Sequence, residues 1–290
     1  MSPRWRSAAF AVALLLVLGA CAPKKAATPP FGNGHHGTTT TLHPRPGGFV
    51  ALGDSYTSGG GASPYDVSTV CGVSSRSWVG LLPGLDHRLH LLGNRACGGA
   101  TTTQLLQPWS ARKQPAQIPT TPDDGVGLVA FTIGANDVKM AQVIGACATV
   151  NCTGVVNGKL ARQNLAELTN HLVDDIYPAL RKAYPKARLV HIGYPLVTST
   201  KLGEICPWLS PEEQTSPNDI VTAVDHAIQI AAQESGQVEY VDVRHAFSGH
   251  ELCTKDPWVF DVTPGSAAPL HPTIAGYVAL AKAIEKGLGT

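Results

Sequence analysis

Charge is scarce in this 290-residue chain: 15% of its residues are charged, and 22 basic side chains stand against 21 acidic ones. A protein that binds nucleic acid through a basic surface is excluded by that balance. Disorder of the whole chain is excluded as well, because 43% of the residues are hydrophobic and the formal net charge is only +1. Beyond the N-terminal apolar run, no stretch is long enough to read as a membrane span. Cys-x-x-Cys does not occur, and the spacing of Cys147 and Cys152 has no second tight pair beside it, which argues against zinc. Gly-x-Ser-x-Gly is also missing, so the nucleophile elbow of the α/β-hydrolases is not offered. With no internal repeat visible, one large domain is the economical reading.

What is present begins with an address. Arg4 and Arg6 precede an apolar run from Ala8 to Leu18 that ends in Leu18-Gly19-Ala20-Cys21. A basic start, a short apolar middle and small residues before a cut describe a secretory signal peptide over residues 1–20. A Cys directly after Leu-Gly-Ala resembles the lipobox of bacterial lipoproteins, which implies cleavage before Cys21 and lipid on its sulfur. The chain would then meet the outer face of the membrane through that anchor alone. An ordinary signal peptide that happens to contain a Cys is the alternative. Residues 21–46 turn to Pro, Gly, Thr and Ala, a composition unable to bury enough apolar surface to fold, and read as a flexible tether. His35, His36 and His43 lie in that tether and read as incidental. The folded domain is expected over 47–290.

Export suits the remaining cysteines. Cys71, Cys97, Cys147, Cys152, Cys206 and Cys253 form an even set, expected as disulfides in an oxidising compartment. Six cysteines allow about fifteen pairings and the sequence does not choose among them. Sequential pairing is the simplest expectation.

Apolar, β-branched runs at 49–53, 88–93, 126–133, 187–193 and 238–243 predict strands. Helices are predicted over 158–184, over 211–235 with Ser210 as N-cap and Gly236 as stop, and over 273–286. In the first of these, Leu160, Leu168, Leu172, Ile176 and Leu180 recur at multiples of four and mark the buried stripe. Strands alternating with helices, each strand apolar on both faces, predict a parallel sheet covered by helices on both sides. Ligands bind such sheets outside the carboxyl ends of the strands. The turns Gly53-Asp54-Ser55 and Gly134-Ala135-Asn136-Asp137 fall there.

Ser55 follows a strand and precedes Tyr56-Thr57-Ser58-Gly59-Gly60-Gly61, a position that suits an exposed nucleophile and, equally, a plain N-cap. The Asn136 amide can donate to a developing oxyanion, or simply build a turn. Gly98-Gly99 offers a bare backbone N–H with the same two readings. Among eleven histidines, His271 in Pro269-Leu270-His271-Pro272 is the candidate base, held in a Pro-flanked turn before the last helix. His245 and His250 compete with it. His171 reads as solvated on its helix, and His191 as a hydrogen-bonded core residue.

Taken together, Gly53-Asp54-Ser55, then Gly99 within Cys-Gly-Gly-Ala-Thr-Thr, then Gly134-Ala-Asn136-Asp137, then His271-Pro272 resemble the SGNH (GDSL) esterase and lipase family in residue type, order and spacing. The blocks span the whole expected domain. The six cysteines and Phe247-Ser-Gly-His250-Glu-Leu-Cys253 are similar to its secreted actinobacterial branch. The resemblance implies a three-layer α/β/α sandwich without metal or organic cofactor. It implies Ser55 as nucleophile, His271 as base, and the N–H groups of Ser55 and Gly99 with the Asn136 amide as the oxyanion hole.

The chain departs from the family twice. Gly98 stands where that branch usually has Ser, which a backbone donor tolerates. Ala268 stands where most of the family has Asp, three residues before the His, and no carboxylate lies between Thr263 and His271. Some secreted members lack that Asp, and a main-chain carbonyl orients their His. A Ser–His dyad is therefore expected, oriented by the carbonyl of Ala268 or Pro269, with Asp261 as fallback. The implied partner is a carboxylic ester of short or medium acyl chain, handled by a monomer. Lipase or phospholipase action on longer chains is the alternative, and a non-catalytic surface lipoprotein is the rival from another class. The loops 59–77 and 108–124 are expected to shape the acyl site.

Overall fold

The five apolar runs become five strands: β1 (Gly47–Gly53), β2 (Leu89–Asn94), β3 (Val126–Thr132), β4 (Arg188–Ile192) and β5 (Glu239–Val241). They form one sheet in the order β2-β1-β3-β4-β5, with every neighbouring pair parallel. The structure, a computed structural model, describes residues 47–289 apart from 202, 203, 205 and 264; the expected signal peptide, Cys21, and His35, His36 and His43 of the expected tether lie outside the described residues. Strand order reverses between β1 and β3, and there the connections leave in opposite directions and open a crevice at the strand ends. Gly53 and Thr132 end those two strands side by side.

Helices cover both faces of the sheet. They are α1 (Ser55–Ser58), α2 (Trp78–Leu85), α3 (Thr102–Leu106), α4 (Met140–Ala146), α5 (Lys159–His171), α6 (Tyr177–Ala183), α7 (Ser216–Ser235) and α8 (Ile274–Leu288). α2 packs against α8 and α5 against α7, which gives the three layers. The central strands are buried on both sides, as Phe49, Leu52, Val129, Phe131, Val190 and Ile192 show. None of the described helices is long and apolar enough to cross a membrane.

Two predicted helices are built differently from their sequence patterns. Between α5 and α6 the chain widens into a π turn over Leu172–Ile176. On 3.6-residue turns, side chains spaced by four drift round the helix by about 40° per step. The wider turn takes up that drift, and Leu168, Leu172, Ile176 and Leu180 all remain buried. Leu160, two steps before Leu168 in ordinary α-helix, is carried out to 70% exposure and is not a core residue. In the second helix, Ser210 and Glu213 form a capping box around a single 3-10 turn, and α7 itself begins at Ser216. Glu213 also accepts from the Cys152 N–H at 2.8 Å, so this turn anchors a neighbouring loop. Gly236 ends α7 in the left-handed conformation.

The cysteines pair sequentially: Cys71 with Cys97, Cys147 with Cys152, and Cys206 with Cys253. The first bridge ties the segment after α1 to the segment after β2, and Gly98 N–H donates to the Cys71 carbonyl at 2.9 Å beside it. Closing a loop of that length in the unfolded chain stabilises the fold by about 3 kcal/mol. The Cys71→Ser/Cys97→Ser protein is expected to lose about that much stability in denaturant unfolding, whereas an unchanged midpoint would show that the unfolded chain is not constrained by this bridge.

Candidate active site

The site is built on the end of β1. Gly53 has φ +126, and a Cβ there would lie 2.2 Å from the Thr132 carbonyl oxygen, so only glycine lets β1 turn this close to β3. The Gln117 side chain takes up both its polar groups, accepting from the N–H at 2.6 Å and donating to the carbonyl at 2.9 Å. Asp54 then caps α1, its Oδ1 accepting from Tyr56 N–H at 2.9 Å. Ser55 opens α1, and no described residue accepts from its backbone N–H.

His271 reaches this turn from the other end of the chain. Its Nε2 lies 2.7 Å from Ser55 Oγ and its Nδ1 lies 2.9 Å from the Pro269 carbonyl oxygen. A carbonyl oxygen only accepts, so the ring proton sits on Nδ1 and Nε2 presents its lone pair to the serine hydroxyl. The Ala268 carbonyl accepts from the His271 backbone N–H at 3.0 Å and closes the turn. Asp261 accepts from Thr263 N–H within its own turn and makes no bond to the imidazole. Leu270, at φ +62, takes a left-handed conformation that costs a non-glycine residue energy. Its carbonyl accepts from the Tyr56 hydroxyl at 2.6 Å, so the residue after Ser55 grips the residue before His271. Gly60 leaves the space they need: a Cβ there would lie 2.5 Å from His271 Cδ2.

Two further turns face Ser55 across the crevice. Gly99, exposed and at φ +83, has a backbone N–H for which no described residue is an acceptor. Asn136 follows β3, and its Nδ2 donates to the Ala100 carbonyl at 2.9 Å, leaving the second amide hydrogen free. Asp137 accepts from Thr102 N–H at 3.1 Å and from the Thr102 hydroxyl, so two adjacent bonds stitch the Asn136 turn to the Gly99 loop. Gly98 lies between these parts, and a Cβ on it would stand 3.9 Å from Ser55 Cβ.

Three tyrosines hold the arrangement, and none is singled out by the sequence. Besides Tyr56, the Tyr194 hydroxyl donates to Asp54 Oδ2 at 2.6 Å and accepts from Ala135 N–H at 3.1 Å, which couples the Ser55 turn to the Asn136 turn. The Tyr277 hydroxyl lies within reach of the Ser55 and Gly60 carbonyls, at 3.2 and 3.0 Å. A tyrosine in a helix or after a strand reads as core; only its partner shows that it also positions a turn. Burial pushes the Tyr56, Tyr194 and Tyr277 hydroxyls above their ordinary range, so they stay protonated donors. Burial also lowers the pKa of His271, partly opposed by the Pro269 and Ala268 carbonyls, and favours the neutral ring.

The other described histidines make no bond to Ser55. His191 is a core residue, its ring between the Tyr177 hydroxyl at 2.9 Å and the Ile133 carbonyl at 3.0 Å, with burial taking its pKa down to about 3. His250 stacks on Trp258 and His171 pairs with Asp175. His245 is exposed. Among the described residues no three histidine, cysteine or carboxylate side chains converge as a metal site requires.

The space beside Ser55 is a small cleft of about 40 Å³, walled by Met140 and Ile144 of α4, Val197, and Leu270. The loops 59–77 and 108–124, expected to shape the acyl site, do not line this cleft. They line a separate groove of about 760 Å³ with Asp66, Val73, Trp109 and Thr121 on its walls. The Cys71–Cys97 bridge ties the first loop, and the Arg112 bond to the Gly98 carbonyl the second, to the Gly98–Gly99 loop, while α4, continuing from the Asn136 turn, lies next to the serine.

Comparison with known proteins bears on the family and the fold. Residues 51–279 match the GDSL-like Lipase/Acylhydrolase family. Lipase 1 of Streptomyces coelicolor is 33% identical over 233 residues, which cover 79% of this chain and 82% of that one. The crystal structure of the extracellular lipase of Streptomyces rimosus superposes with a TM-score of 0.65 at 28% identity, covering 83% of this chain and 99% of that one. That of a phospholipase A1 from Streptomyces albidoflavus gives 0.65 at 27% identity over the same shares.

Asp54 is 1% exposed, and burial, reinforced by Asp137 and opposed by Tyr194 and Tyr56, pushes its pKa up from 3.8 to about 7. Between those values the folded protein holds a proton that the unfolded chain has released. The stabilisation from Asp54 is therefore complete below the lower value and is lost as pH rises through the upper one. In that interval, the stability of wild type relative to Asp54→Asn is expected to fall by about 1.4 kcal/mol per pH unit in denaturant unfolding. A difference that does not vary with pH would contradict a buried, proton-bearing carboxyl.

Proposed function

The chain belongs to the GDSL-like lipase/acylhydrolase family and is a serine carboxylic-ester hydrolase; from that premise we propose that it works by acyl transfer through a dyad of Ser55 and His271. The observation that carries this reading is the 2.7 Å contact of His271 Nε2 with Ser55 Oγ, with Nδ1 already committed to the Pro269 carbonyl. His271 takes the proton of Ser55 as its oxygen attacks the ester carbonyl carbon. The carbonyl π bond opens to an oxyanion received by the N–H groups of Ser55 and Gly99 and by the Asn136 amide. Collapse of the tetrahedral intermediate breaks the bond to the alcohol, which leaves with the proton from His271. Water then repeats both steps on the acyl-enzyme and releases the acid. A carbonyl fixes the imidazole tautomer as a carboxylate does, but lends less stabilisation to the imidazolium.

The small apolar cleft supports esters of short or medium acyl chain as substrates. The names of its relatives, lipase and phospholipase A1, favour longer chains as the second reading. A non-catalytic binding lipoprotein has no use for a serine and an imidazole in contact. Three disulfides and an extracellular relative support export, and Leu18-Gly19-Ala20-Cys21 supports anchoring of a monomer to the membrane by lipid on Cys21.

Hydrolysis of p-nitrophenyl esters from acetate to palmitate tests the chemistry. Ser55→Ala and His271→Ala are each expected to lower kcat at least about 10³-fold, and Asn136→Ala about 10²- to 10³-fold. The optimum is expected at short to medium chains, and the acid limb of kcat/KM below the ordinary imidazole value of about 6.5. Full turnover in His271→Ala would sink the dyad, and an optimum at palmitate would select the lipase reading. Metabolic labelling with a palmitate analogue is expected to mark wild type and not Cys21→Ser; unlabelled wild type would remove the anchor.

A further inference from the structure

Arg112 stands beside the proposed oxyanion loop without an acidic partner. Arg88, Arg188 and Arg244 each hold a carboxylate, from Asp86, Glu239 and Asp242. Arg112 instead stands over Trp109, its guanidinium carbon 4.3 Å from the ring centroid. Reciprocal backbone bonds between Trp109 and Gln114 close the loop that carries both residues. Nη1 donates to the Gly98 carbonyl at 2.7 Å and lies 3.7 Å from Cys97 Sγ. No described residue accepts from Nε or Nη2, and Nη2 stands 3.8 Å from the position that a Cβ on Gly99 would take. The guanidinium is thus held by its contact with the Trp109 ring and by one anchor, while Nη2 borders the exposed Gly99. A planar, weakly hydrated cation with paired donors suits the oxygens of a carboxylate or phosphate.

The surroundings indicate which half of an ester would meet it. Met140, Ile144, Val197 and Leu270 wall the apolar side of Ser55 and suit the acyl chain. Trp109 and Arg112 lie on the Gly98–Gly99 side, at 3.6 and 3.8 Å from the position that a Cβ on Gly99 would take, and neither walls that apolar cleft. Resting on the ester-hydrolase reading above, we propose that Arg112 on Trp109 forms a subsite for an anionic group, carboxylate or phosphate, carried by the alcohol half of the substrate. Arg112 in this role sets specificity and takes no proton.

Three butyryl esters of similar shape test it: those of glycerol, of glyceric acid and of glycerol phosphate. Wild type is expected to favour the charged esters about ten-fold in kcat/KM, the gain of a charge-assisted hydrogen bond. Preference for one charged ester over the other identifies carboxylate or phosphate. Added salt should erode the preference without changing turnover of the glycerol ester in parallel. Arg112→Gln should bring the charged-to-neutral ratio close to one, and Arg112→Lys should leave it between. A role confined to holding Gly98 would lower all three esters together and leave the ratio at its wild-type value, which would overturn the proposal. So would a wild type indifferent to charge. Calorimetric binding of the corresponding butyl ethers to wild type and Arg112→Gln reads the same ratio without turnover. Loss of hydrolysis with retained charge preference in binding would then count against the ester-hydrolase mechanism and not against the subsite.

Discussion

One hydrogen bond, from His271 Nδ1 to the Pro269 carbonyl, sets the chemical character of the site. Because the acceptor is a neutral main-chain oxygen, it dictates the tautomer without adding a charge, and Nε2 is left as the atom that faces Ser55. The same turn must place that carbonyl two residues before the ring it orients. Leu270 accepts a left-handed backbone to do so, and the Tyr56 hydroxyl and the Phe260 backbone pin it there. A carboxylate at position 268 is unnecessary for orientation in this geometry; what its absence forgoes is electrostatic support for the imidazolium.

The position of the serine rests on the crevice between β1 and β3. Gly53 allows the close approach, and Gln117 and Asp54 satisfy the polar groups it leaves behind. From there Tyr194 carries the constraint across to Ala135, next to Asn136, and Asp137 carries it on to Thr102 beyond Gly99. Serine turn, amide turn and glycine loop are thus one hydrogen-bonded frame. Most of its members are buried, so each bond broken would strand a polar group away from water.

Much of this was legible in the sequence because it is local. The β-branched runs ending at Gly53 and Ile133 marked the strands, and the four blocks around Ser55, Gly99, Asn136 and His271 named the residues that meet at the sheet ends. What escaped depends on distance in three dimensions. Ser55 and His271 are separated by 216 positions, and only folding decides which carbonyl of the Ala268–Pro269 pair meets the ring. The tyrosines resemble core residues until their hydroxyl partners are known. Leu160 matched a four-residue pattern that a 3.6-residue helix turns into solvent. The loops 59–77 and 108–124 line a groove of their own, while Met140 and Ile144 of α4 lie against Ser55, a division that composition does not reveal.

The most direct test of the Ser55–His271 account is covalent labelling with a fluorophosphonate, read by peptide mass spectrometry. The reagent needs an activated serine but neither a matching acyl chain nor a released product. A single adduct on the peptide containing Ser55, absent in Ser55→Ala and formed at least about a hundred-fold more slowly in His271→Ala, is the predicted result. Labelling at another residue, or at Ser55 with a rate indifferent to His271, would contradict it.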